Sequence, residues 1–60
     1  MLVREIRIGN KVYAIWEGRN PRHYEVTVQD LDKSSLLDVV LHTYSEKEAH
    51  RKFLELIGDL

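Results

Sequence analysis

Apolar and polar residues alternate along most of this chain. Leu2, Ile6 and Ile8 share one parity, Tyr24, Val26 and Val28 form a second set, and Leu37, Val39 and Leu41 a third. Successive side chains of a strand point to opposite faces, so a period of two marks strands with one buried side. Turn-forming clusters separate the runs: Gly9-Asn10, Gly18-Arg19-Asn20-Pro21 and Leu31-Asp32-Lys33-Ser34. The pattern predicts strands over about 2–8, 11–17, 22–30 and 35–43. Gly-Asn between two apolar runs predicts a two-residue hairpin turn of type II′, with glycine supplying positive φ at the first position.

The period changes after Tyr44. Ala49, Phe53, Leu56 and Ile57 fall on one stripe at about 100° per residue, which is an amphipathic helix. Ser45 with Glu48 fits a capping box, in which each side chain satisfies the other residue's free N–H. Glu46 and Glu48 suit the positive end of the helix dipole, and Gly58 supplies a stop. Glu48 and Lys52 are spaced as an i,i+4 ion pair. The helix is placed at about 45–57. Leu36, Leu37, Val40, Leu41 and Tyr44 would also make a helical stripe; adjacent Val39 and Val40, with Thr43, favour a strand there.

The turns set a register. Gly9-Asn10 puts Ile8 opposite Lys11, Ile6 opposite Tyr13 and Arg4 opposite Ile15. A loop over 18–21 puts Ile15 opposite Tyr24 and Tyr13 opposite Val26. A loop over 31–34 puts Val28 opposite Leu37, Val26 opposite Val39 and Tyr24 opposite Leu41. The strongest apolar sets then share a face, which a one-residue slip would scatter. The expected fold is α+β: a four-stranded antiparallel meander in the order 1-2-3-4, with one C-terminal helix packed on one face.

The same register describes the face without the helix. One row reads Val3, Trp16, His23 and His42, the next Glu5, Ala14, Glu25 and Val40, and the third Arg7, Val12, Thr27 and Asp38. Trp16 is the only tryptophan. Tryptophan is enriched at contact hot spots because it removes a large area from water at little rotamer cost. Val3, Trp16, His23, His42 and Val40 are therefore the candidate binding residues. The plainer reading is that Trp16 shields backbone near a sheet edge beside two solvated histidines.

Composition narrows the function classes. Sixty residues suit one domain, 1–60, whose core is small enough to make a partner useful. Hydrophobic content of 43% with clear periodicity argues against disorder. There is no cysteine, which excludes disulfides, thiolate nucleophiles and zinc ribbons. Nine Lys and Arg against ten Asp and Glu give a formal charge of −1, which predicts no long-range attraction to nucleic acid or anionic membrane. Arg4, Glu5 and Arg7 interrupt the N-terminal apolar residues as a signal peptide would not allow, and no apolar run reaches the roughly 18 residues of a membrane span. A cytoplasmic protein is expected.

Catalytic signatures are missing. HExxH, a phosphate-binding glycine loop and a dinucleotide fingerprint do not occur, and the carboxylates are scattered rather than paired in an apolar setting. His23 and His42 with Glu25 nearby lack a third ligand clearly aimed at a shared point, so neither a metal nor another cofactor is expected. Tyr44 to Phe53 resembles the closing segment of WGR domains; Trp16-Glu17-Gly18-Arg19 departs from an uninterrupted Trp-Gly-Arg, so no residue role is transferred. The expectation is a non-catalytic protein-interaction module, an inhibitor or adaptor that also self-associates, of a size that suits the small accessory proteins of phages and mobile elements. The alternative is a small nucleic-acid-binding domain using Trp16 with Arg4, Arg7, Arg19 and Arg22, opposed by Glu5, Glu17, Glu25 and Asp30 in the same half.

Overall fold

The computed structural model describes residues 1–33 and 36–58. Strands β1 (Leu2–Ile8), β2 (Lys11–Gly18), β3 (His23–Asp30) and β4 (Asp38–Thr43) precede helix α1 (Glu46–Leu56). The strands form one antiparallel sheet in the order β1-β2-β3-β4, and α1 packs on one face of it. This is the α+β meander that the alternation predicts. Ser34, at the end of the third expected turn, and Ser35, where the last strand was expected to begin, lie outside the described residues.

The first hairpin follows its turn chemistry. Gly9 has φ +62° while Asn10 stays at negative φ, and Ile8, Ile6 and Arg4 stand opposite Lys11, Tyr13 and Ile15. The second hairpin is displaced by two residues from the expected pairing. Ile15 faces Val26 and Tyr13 faces Val28, because β2 runs on through Gly18, which pairs with His23. Gly18 has no side chain, and the His23 imidazole occupies the space where a Cβ would stand. Asn20 takes the left-handed conformation at φ +67°, which asparagine tolerates, and the Arg22–Glu17 ion pair closes the loop. A shift of two leaves every side chain on its expected face.

Two one-residue irregularities do change faces. Between β3 and β4, Tyr24 faces Thr43, Glu25 faces His42 and Val26 faces Leu41; the next pair is Thr27 with Val39, so Val40 is an extra residue. The expected pairs Val28–Leu37, Val26–Val39 and Tyr24–Leu41 are therefore replaced. Val39 turns from the helix side to the helix-free side, and Asp38 moves the other way, opposite Val28. In β1 the step from Leu2–Trp16 to Arg4–Ile15 leaves Val3 as the extra residue, so Leu2 rather than Val3 stands opposite Trp16. A bulge inserts one unpaired residue and inverts the alternation beyond it.

The core lies between α1 and the sheet. Ile15, Tyr24, Val26, Ala49 and Phe53 are buried, with Tyr13, Leu41, Leu54, Leu56 and Ile57 packed around them. The helix lies close to β2, β3 and β4, and the Arg4 guanidinium of β1 sits 4.8 Å from the Phe53 ring centroid. There the cation meets the negative ring face and its stem covers the core edge. Ile6 and Ile8, on the same side of β1, stay exposed. Ser45 Oγ accepts the Glu48 N–H at 3.2 Å, but the reciprocal half of the capping box is replaced: the Ser45 N–H donates to Thr43 Oγ1 at 3.1 Å. Lys52 pairs with Glu55 at 3.3 Å rather than with Glu48. Ile57 ends the helix, and Gly58, at φ +78°, donates its N–H to the Glu55 carbonyl. Among the described residues no helix is long and apolar enough to cross a membrane.

Candidate functional site

The helix-free face carries a cleft of about 320 Å³ whose walls include Trp16, His23, Thr27, Leu37 and Val39. Its geometry begins with Trp16. The indole Nε1–H donates to Thr27 Oγ1 at 2.9 Å, which fixes the ring along a diagonal between β2 and β3. Ala14 and Thr27, cross-strand partners on this face, are each only 2% exposed although no helix lies over them. Trp16 is the large side chain placed to cover them. It is half-buried, so it shields the sheet and still presents an edge to the cleft.

The opposite wall comes from the approach to β4. The bulge at Val40 brings Val39 opposite Thr27, and Leu37 lines the same cleft. Leu37 is 46% exposed and Val39 53%. Each therefore offers apolar area that folding alone leaves wet. At one corner the rings of His23 and His42 lie 5.0 Å apart, and Tyr44 meets His42 edge-on at 5.4 Å. His23 Nδ1 is 2.9 Å from the Pro21 carbonyl, which can only accept, so this nitrogen carries the hydrogen. Its Nε2 is left as an acceptor in the neutral ring.

The polar groups at the cleft come from His23, Glu25 and Thr27. Glu25 stands opposite Trp16 on this face, whereas Glu17, opposite the core residue Tyr24, turns its side chain to the helix side and meets the cleft only at its backbone position. Glu17 Oε2 accepts from Arg22 Nε at 2.6 Å, and that hydrogen bond, helped by the charges of Tyr24 and Glu17, raises the Arg22 guanidinium above its ordinary value. Arg7 donates to the Gly9 carbonyl at 3.0 Å, and Arg4 lies on the helix side over Phe53.

Of the residues singled out from sequence, Trp16, His23 and His42 share this face. His42 pairs with Glu25 and touches His23 diagonally, rather than facing it directly. Val3 and Val40 both fall at the irregularities, and Leu2 takes the place expected for Val3 beside Trp16. Leu37, Val39 and Thr27 were missed as cleft residues because alternation alone assigns Leu37 and Val39 to the core. Tyr44 could have been found, since it lies two residues beyond His42. Among the described residues no group of three or more His, Asp or Glu side chains is placed to hold a metal ion. Comparison with family models, curated proteins and solved structures finds no match to this chain.

Proposed function

We propose that this protein is a non-catalytic interaction module whose helix-free face receives a segment of a partner protein. The observation that carries the reading is the cleft itself: Leu37 and Val39, exposed and apolar, stand across from a tryptophan already held in place by Thr27. A fixed aromatic wall needs little ordering on binding, so contact area there converts to affinity more fully than on a mobile surface. The partner places an apolar side chain between Trp16, Leu37 and Val39 and meets His23 and Glu25 with polar groups. The nucleic-acid alternative is less well supported. Its stacking residues lie beside Glu25, and Arg22, Arg7 and Arg4 are engaged elsewhere.

The test uses the full chain as bait and compares wild type with Val39→Asp and Ile6→Lys. Val39 is 53% exposed, so aspartate is tolerated by the fold while placing a charge in the cleft. A partner lost with Val39→Asp and retained with Ile6→Lys supports the reading. A partner indifferent to Val39→Asp overturns it. A parallel titration with single-stranded oligonucleotide at low and high salt separates the alternative, since binding that falls steeply with salt reports phosphate contacts.

A further inference from the structure

The two edges of the sheet differ in kind. β4 is short, six residues from Asp38 to Thr43, and has the Val40 bulge, both of which discourage pairing with another chain. β1 is regular from Arg4 to Ile8, holds no proline or lysine, and carries Ile6 and Ile8 exposed beside the helix rather than beneath it. Such an edge is a template for a further strand.

The backbone phase of β1 follows from that of its neighbour β2. Met1 and Glu17 exchange hydrogen bonds, with N···O distances of 2.7 and 2.8 Å, and Leu31 N–H reaches the Asn10 carbonyl. Odd residues of β2 therefore turn their amides to β1 and even residues turn theirs to β3, as the antiparallel alternation requires. Arg4, Ile6 and Ile8, paired with Ile15, Tyr13 and Lys11, spend their backbone groups on β2. Glu5 and Arg7 point their N–H and C=O groups outward, away from the sheet.

A second copy adding antiparallel to this edge about a two-fold axis must use those outward groups. Centring the axis on Glu5 sets Glu5 against its own copy, and centring it on Arg7 sets Arg7 against its own copy; both juxtapose like charges. Centring it on Ile6 sets Glu5 of each copy against Arg7 of the other, twice. That register also pairs Arg4 with Ile8 and Ile6 with Ile6, and it uses the regular stretch Arg4–Ile8 while leaving the Val3 irregularity outside. Glu5 has an exposed side chain, and Arg7 gives up only its bond to the exposed Gly9 carbonyl.

We infer that this chain forms a symmetric homodimer by β1–β1 pairing centred on Ile6, joining two sheets edge to edge. The axis runs perpendicular to the sheet, so both helices lie on one side and both Trp16 clefts stay open on the other. Between the helices the uncovered Ile6 and Ile8 of the two copies meet over the new seam, which accounts for apolar side chains that α1 leaves exposed. The pairing is short, so the dimer is weak and concentration-dependent.

Sedimentation of the full chain over a wide concentration range tests this. Wild type should dimerise; Glu5→Arg alone and Arg7→Glu alone should each stay monomeric, since positions 5 and 7, which face each other across the seam, then carry the same sign. An equimolar mixture of the two variants should dimerise again, because every facing pair becomes opposite in charge. Ile6→Lys should keep its thermal midpoint and lose the dimer. Amide exchange gives a second readout: Glu5 and Arg7 should gain protection as concentration rises, while Ile6 changes little. A wild type that stays monomeric throughout overturns the inference. So does a dimer that survives all three substitutions, or a mixture of the charge variants that fails to associate while both remain folded.

Discussion

Single residues on the two faces of this sheet do different work. Phe53 is fully buried under the Arg4 guanidinium and against Ile15 and Val26. Phe53→Ala should cost about 3–5 kcal/mol, the usual loss for a buried aromatic. An unchanged thermal midpoint would mean the helix does not pack there. Trp16 has a smaller structural part. Trp16→Phe keeps most of the cover over Ala14 and Thr27 but removes the indole N–H, leaving the buried Thr27 hydroxyl without that donor. Denaturant unfolding should register about 1 kcal/mol. A loss as large as that of Phe53→Ala would show that Trp16 belongs to a core rather than to a wall. Gly18 and His23 form a third pair. Gly18→Ala should push the imidazole off the strand and away from His42 without unfolding the chain, which ring-proton chemical shifts of His23 and His42 would report.

At the level of elements, the first hairpin and the helix were legible because their signals are local. A glycine at φ +62° fixes the first register, and Gly9→Val puts a β-branched side chain into a conformation it strongly disfavours. A clear fall in thermal midpoint is expected, and a neutral result would contradict the turn. Ser45→Ala should cost about 1 kcal/mol through the lost cap on Glu48. The remaining registers are not set by local signals. Alternation reports parity alone, so the two-residue displacement of the second hairpin left no trace in the apolar pattern. Bulges hide more completely. Val39-Val40-Leu41 is three apolar residues in a row, and only the paired strand decides which is surplus. The central core of Ile15, Tyr24, Val26, Ala49 and Phe53 was thus readable, but Leu37 and Val39 were assigned to it and Ile6 and Ile8 were expected on its side yet stay exposed; the cleft was readable only at Trp16 and His23, with His42 beside it.

At the scale of the whole molecule, one helix serves a four-stranded sheet and reaches only three of its strands closely. Every residue of β1 is exposed, whereas β2, β3 and, at Thr43, β4 carry buried side chains. Stability should therefore be graded, with β1 opening below the free energy of global unfolding. The backbone phase makes this sharp within one strand. Tyr13 and Ile15 turn their amides to β1, while Ala14 and Trp16 turn theirs to β3. Native-state hydrogen exchange on dilute protein should then split β2 by parity. Tyr13 and Ile15 should exchange together with Ile6 and Ile8 through the partial opening, although the Ile15 side chain is itself fully buried. Ala14, Trp16, Glu25 and Thr27 should exchange only through global unfolding, and only their rates should follow denaturant with the full slope. If all of these amides instead shared one opening energy, β1 would be an integral part of the cooperative unit, and the Arg4–Phe53 contact with the Gly9 turn would bind it far more firmly than its exposure implies.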